Sequence, residues 1–142
     1  MKRNKIKTLQ NKAEKLWKEV CYARDGKRCQ VRENFPFIPI AHSKIYQVDH
    51  CITRKNKRLF LDPANGTVVC SSCNQAKSFN LKSIHRAIDE IVIRREGEEK
   101  FKTMVSLDQA HLLNENWRSI GWLEEQIEYL TKRLQLEKNP VE

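Results

Sequence analysis

The tightest constraint on this 142-residue chain is the pair Cys70-Ser-Ser-Cys73, two thiols three residues apart at the end of the apolar run Thr67-Val68-Val69. That spacing lets both sulfurs of one tight turn reach a single zinc ion, so the segment reads as a knuckle. Cysteines number five, at positions 21, 29, 51, 70 and 73. The opening stretch MKRNKIKTLQNKAEK has no apolar block to serve as a secretory signal, and an odd count without one argues against a disulfide framework. One such pair is half a site. The upstream candidate is Cys29 in GKRCQVR, where the position three residues later holds Arg32. No run approaches the roughly 20 apolar residues that cross a bilayer, so the expectation is a soluble cytoplasmic protein of one domain, with no membrane partner.

Charge is distributed unevenly. Residues 1–58 carry 16 Lys/Arg against 5 Asp/Glu, whereas residues 59–142 carry 11 against 13. A basic half joined to a slightly acidic half suggests one face that meets a polyanion and another that does structural work. Nucleic acid is the expected partner, because Lys and Arg gain affinity from released phosphate counterions without reading sequence.

The apolar pattern predicts a helix over 5–24, with Ile6, Leu9, Ala13, Leu16, Trp17 and Val20 on one face and Lys on the other. Asp25-Gly26 stops it. Residues 27–58, interrupted by Pro36 and Pro39, read as short strands and loops that end in an extended segment over 45–51. A Pro-Ala-Asn-Gly turn over 63–66 precedes the run to Cys70. A second helix is expected over 80–95, ended by Gly97, and Ser106-Leu107-Asp108-Gln109 reads as a capping box that opens a last helix to about Lys138. In that helix Ile120, Leu123, Ile127, Leu130 and Leu134 form a two-heptad seam that suits the domain's own core or a homodimer. The fold class is α+β, divided into a basic N-terminal helix (1–26), a core (27–95) and a C-terminal helical region (96–142).

Chemistry concentrates at Asp49-His50, Asn65 and Cys73-Asn74. Asp49 offers a hard carboxylate and Asn74 an amide carbonyl, a donor set for Mg²⁺ or Mn²⁺. His50 has an imidazole that can take a proton near neutral pH, as a general base for water attacking a phosphodiester. Asn65 suits pinning the loop that aims His50, although beside Gly66 it is by default a turn residue. Arg54, Lys55, Lys57, Arg58 and Lys77 flank these groups and are expected to meet phosphates. Trp17, Trp117 and Trp122 read as packing residues and His85 and His111 as ordinary helix residues, while His42 is open between roles.

The string DHCITRKNKRLFLDPANGTVVCSSCNQAKSFN resembles the HNH, or His-Me finger, nuclease motif in the variant that ends in Asn. Residues 12–135 are similar in order and spacing to the phage NinG (Rap) recombination nucleases, including Cys73, Asn74, Gln75, Lys77, Ser78 and Asn80. The resemblance implies a ββα-metal core with His50 on the first strand, Asn65 in the connecting loop and Asn74 on the helix. It also implies metal-dependent cleavage of branched DNA, in the cytoplasm of a bacterial host if the chain is phage-encoded. A binding module without catalysis and a sequence-reading homing or restriction-type nuclease are the alternatives. Arg32 stands at the matching fourth cysteine, so a structural zinc on Cys29, Cys70 and Cys73 would need His42, Cys21 or Cys51. The reading leans toward packing without zinc, or weak binding. Strict strand alternation would also send Asp49 and His50 to opposite faces, so the motif requires the strand to end or bulge there.

Overall fold

The computed structural model describes residues 2–52, 54–109 and 115–140. Helix α1 (Lys2–Asp25) is followed by a short helix α2 (Gln30–Asn34), strand β1 (Tyr46–His50) and a one-turn helix α3 (Lys57–Phe60). Strand β2 (Gly66–Cys70) runs straight into α4 (Ser71–Ser78), and α5 (Lys82–Glu96), α6 (Glu98–Gln109) and α7 (Ile120–Lys138) complete the described order. Residues 27–58 thus hold one strand and two short helices rather than several strands. Their Pro residues sit in the loop between α2 and β1, away from any hydrogen-bond ladder.

Strands β1 and β2 pair antiparallel, Tyr46 opposite Cys70 and His50 opposite Gly66. All five β2 residues are buried, because helices cover both faces of this two-stranded ribbon. One core cluster packs Val31, Val69, Ile84, Ile88, Val92 and Met104 between α2, β2, α5 and α6. A second packs Ala13, Trp17, Val20 and Cys21 of α1 against Phe60, Leu61, Val68 and Leu130. The leucine seam of α7 is turned toward α1: Leu123 and Leu130 are fully buried, and Ile127 and Leu134 pack on the same cluster. Trp117 and Trp122 border it.

Gly66 is required by close approach. A Cβ there would lie 2.6 Å from Cys21 Sγ and 2.7 Å from the Trp17 ring. Only a residue without a side chain lets β2 approach α1 this closely. The contact is sealed by Arg24, whose guanidinium donates to the carbonyls of Pro63 (2.7 Å) and Gly66 (2.6 Å), and by Asp25, which accepts from Val68 N at 3.1 Å. Gly97, at φ +94°, ends α5 as expected.

The capping box at Ser106 is not realised. Ser106 lies inside α6, whose N-terminus at Glu98 follows Gly97, and the last helix starts at Ile120 under the Ser119 cap. The Glu98-Glu99 pair in the first turn of α6 favours that earlier start. His111 lies outside the described residues.

Candidate functional site

The β1–β2–α4 run brings two sites close together, one rich in sulfur and one built around His50. At the first, Cys70 caps the N-terminus of α4 and its sulfur accepts from Cys73 N at 3.4 Å, which folds the knuckle. Cys29 stands at the N-cap position of α2, without a side-chain capping bond, on the other side. His42 reaches the same point because Ser43 Oγ bonds Ser71 Oγ at 2.6 Å and holds its loop on the start of α4. The His42 Nδ1 atom lies 3.7 Å from Cys29 Sγ, 3.5 Å from Cys70 Sγ and 3.4 Å from Cys73 Sγ. The Cys29 and Cys73 sulfurs are 3.7 Å apart, and all four ligand atoms fall within 4.8 Å of one another.

These edges can be tested against a metal. Zinc bonds of about 2.3 Å to sulfur and 2.0–2.1 Å to nitrogen give tetrahedral edges of about 3.8 Å for S–S and about 3.5 Å for S–N. The donor set fits such an ion. The Cys73 thiol alongside holds the Cys29 sulfur far below the ordinary thiol range, to about 4, while Cys73 is pushed up by the same contact. The contact between the two sulfurs favours loss of one proton from the pair. The lean toward a metal-free knuckle is therefore corrected in its geometry: His42 completes a four-ligand cluster, and Arg32 stays exposed on α2, outside it. Of the other candidates, Cys21 packs beneath Gly66 and Cys51 Sγ donates to Asp89 Oδ1 at 3.3 Å.

At the second site the His50 ring stacks on Trp17 (centroids 4.2 Å apart, planes at 10°) and on Phe60 (4.4 Å, 25°). Its Nε2 donates to the Phe60 carbonyl at 3.1 Å, since a carbonyl can only accept. In the neutral ring the lone pair therefore sits on Nδ1. Burial against the aromatic rings pushes the His50 pKa down to about 4, and the nearby cations Arg54, Lys77 and Lys57 add to the effect. The ring is neutral at physiological pH. Asn65, fully buried, accepts from Ile52 N at 2.9 Å through Oδ1 and donates to the Leu59 carbonyl at 3.2 Å, tying both ends of the loop after His50.

His50 opens on a cleft of about 420 Å³ between α1, β1 and α4, lined also by Glu14, Lys18, Tyr22, Gln47, Arg54 and Asn74. Asn74 Nδ2 donates to Gln47 Oε1. Asp49 is not among the lining groups. Because β1 runs without a bulge through the pair with Thr67, Asp49 faces α4 and α5, on the other side of the strand from the His50 ring. Its carboxylate is bound by Lys77 Nζ at 2.6 Å, and burial raises its pKa. His50 and Asn74 both line this cleft, whereas the Asp49 carboxylate lies outside its lining and is taken up by Lys77.

The expected phosphate contacts divide in the same way. Arg54, Lys55 and Arg58 are exposed, and Lys57 is half-buried with Nζ 4.3 Å from the Phe60 ring centroid and 5.3 Å from that of Trp117. Lys77 is corrected: its ammonium is turned inward on three protein oxygens. His85 stands outside the Cys/His cluster, and its Nε2 donates to the Lys77 carbonyl at 3.1 Å. Sequence reasoning missed Glu14 and Tyr22 as cleft walls, and it reached Lys18 only as a neighbour of Trp17 on a helix that could touch DNA. The basic outer face of α1 was a signal for Lys18 alone.

Comparison with known families, with curated proteins and with solved structures returns no match for this chain. The nuclease resemblance accordingly rests on the sequence motif.

Proposed function

We propose that the chain is an endonuclease that hydrolyses DNA phosphodiesters, with His50 as the general base, and that branched recombination intermediates are its substrates. The observation that carries this reading is the state of His50. It is an imidazole with one nitrogen spent on a carbonyl, the other basic and unprotonated, at the edge of a cleft bordered by Lys18, Arg54 and Asn74. Such a ring holds a free lone pair that can accept a proton from water at neutral pH, as a weaker base than an ordinary imidazole. Trp17 and Phe60 fix its plane, and the Asn65 bridge fixes the loop behind it. The net charge of +9 suits a polyanionic substrate held by its phosphates. A divalent cation would stabilise charge on phosphate oxygens in this chemistry. Asn74 supplies an amide and Glu14 a carboxylate to the lining of the cleft.

We further propose that Cys29, His42, Cys70 and Cys73 hold a structural zinc that fastens α2 and the His42 loop to α4. A four-ligand site of this kind is closed to substrate. The pairing of Asp49 with Lys77 favours a second reading, a zinc-knuckle nucleic-acid-binding module without catalysis.

Matched linear, nicked, flapped and four-way-junction DNAs, each incubated with the protein and Mg²⁺ or Mn²⁺, separate the two. The nuclease reading expects cleavage, strongest on a branched substrate. Salt-sensitive binding with every substrate left intact would sustain the binding module instead.

A further inference from the structure

We infer that the outer face of α7 is a docking surface for a second copy of this chain, paired antiparallel about a two-fold axis at Tyr129. The inner seam of α7 is spent on α1, yet the helix carries a second apolar spacing: Trp122, Tyr129 and Leu136 stand seven residues apart. At about 100° per residue the three fall on one stripe, about a third of a turn round the helix from Leu123 and Leu130. Tyr129 is 47% and Leu136 55% exposed, and the half-buried Trp122 lines a groove of about 450 Å³ with Leu61 and Leu107. An exposed apolar stripe rimmed by charge marks a surface that meets another molecule.

The charges beside the stripe select the occupant and its direction. Helical spacing puts Glu125 and Lys132 along one edge, and Gln126 and Arg133 along the other. A two-fold axis across the helix at Tyr129 reverses the second helix and keeps each edge against its own kind. Glu125 of each copy then meets Lys132 of the other, and Gln126 meets Arg133. Trp122 meets the second copy's Leu136 over the Leu61 and Leu107 floor, and the two Tyr129 rings meet at the axis. A parallel pair would instead set Lys132 beside Arg133. The surface is thus complementary to itself, as an isologous dimer requires. Within one chain Lys132 pairs with Glu128 and Arg133 with Glu137, each at 3.1 Å, but such same-helix surface pairs hold weakly and leave Lys132 free to turn outward. Residues 59–142 carry 11 cations against 13 anions, so this half adds little self-repulsion to a chain of net charge +9. One helix face and one groove wall bury less than the roughly 800 Å² per partner of a standard interface, so the dimer is weak, with a Kd of about 10–100 µM. The inference does not rest on the nuclease reading and is measured without DNA, so either can fail alone.

Sedimentation equilibrium of the full chain from about 2 to about 300 µM tests it. Wild type is expected to pass from monomer to dimer over that range. Tyr129→Glu sets two carboxylates at the axis, and Glu125→Lys faces Lys132 with a second ammonium; each should weaken the dimer about tenfold or more. The charge swap Glu125→Lys/Lys132→Glu should restore it. A wild type that stays monomeric, a dimer that Tyr129→Glu leaves intact, or one that the swap does not restore overturns the inference. Species larger than a dimer overturn it too, because two-fold pairing closes. Circular dichroism checks that each variant is folded, and Leu136→Lys takes the place of Tyr129→Glu should that variant unfold.

Discussion

His50 combines three constraints in one side chain: a hydrogen bond that fixes its tautomer, two aromatic faces that exclude water, and a ring of cations that disfavours the imidazolium. The consequence for stability has a definite sign. A folded pKa near 4 lies below the ordinary 6.5, so the unfolded chain binds the proton first. Stability from this residue is complete above about pH 6.5 and is lost as the pH falls from there to about 4. Discounted for the exposed part of the ring, the loss is on the order of 2 kcal/mol. Urea melts at pH 7, 5.5 and 4.5 should therefore show wild type losing more stability than His50→Gln over that window. Equal slopes would mean that the ring is not desolvated in solution. The sequence made the imidazole visible as a candidate base. Its stacking partner Trp17 was legible only as a packing residue, because nothing in a helical stripe says which side chain of a distant strand it will touch.

Among the elements, the junction of β2 with α4 decides most of the local geometry. Cys70 ends the strand, caps the helix and supplies a ligand atom, and Cys73 follows one turn later. Their spacing was readable from the chain. The choice of His42 over Cys21 and Cys51 as the fourth was not, since His42 is placed by Ser43 and Ser71, a contact across 28 residues that leaves no periodic trace. The short helices α2 and α3 were missed for a related reason. Each is too brief to show a 3.6-residue repeat, and α3 depends on the Asn56 cap, whose amide also donates to the Leu107 carbonyl at 3.0 Å. The alternation rule did foresee the separation of Asp49 from His50, because no bulge interrupts β1. At this scale the zinc proposal is tested by elemental analysis. Purified protein should carry one zinc per chain, and chelation or His42→Ala should lower the melting temperature by about 10 °C. A protein free of zinc, whose melting temperature is unmoved by added zinc, would refute the site.

For the whole molecule, α1 matters as much as the strand–helix core. It supplies Trp17 beneath His50, Glu14, Lys18 and Tyr22 on the cleft wall, and Arg24 and Asp25 at the end that grips β2. The basic N-terminal half and the acidic C-terminal half thus meet along the α1–α7 contact, with the seam of α7 turned inward. No helix among the described residues is long and apolar enough to cross a membrane. The account's central claim is that His50 takes the proton from the attacking water. The most direct measurement is chemical rescue of His50→Gly, which leaves a ring-sized gap beside Trp17 and Phe60. The variant should bind branched DNA without cutting it, and added imidazole should restore cleavage in proportion to the neutral base present. Cleavage by His50→Gly at the wild-type rate, with no imidazole added, would contradict the claim.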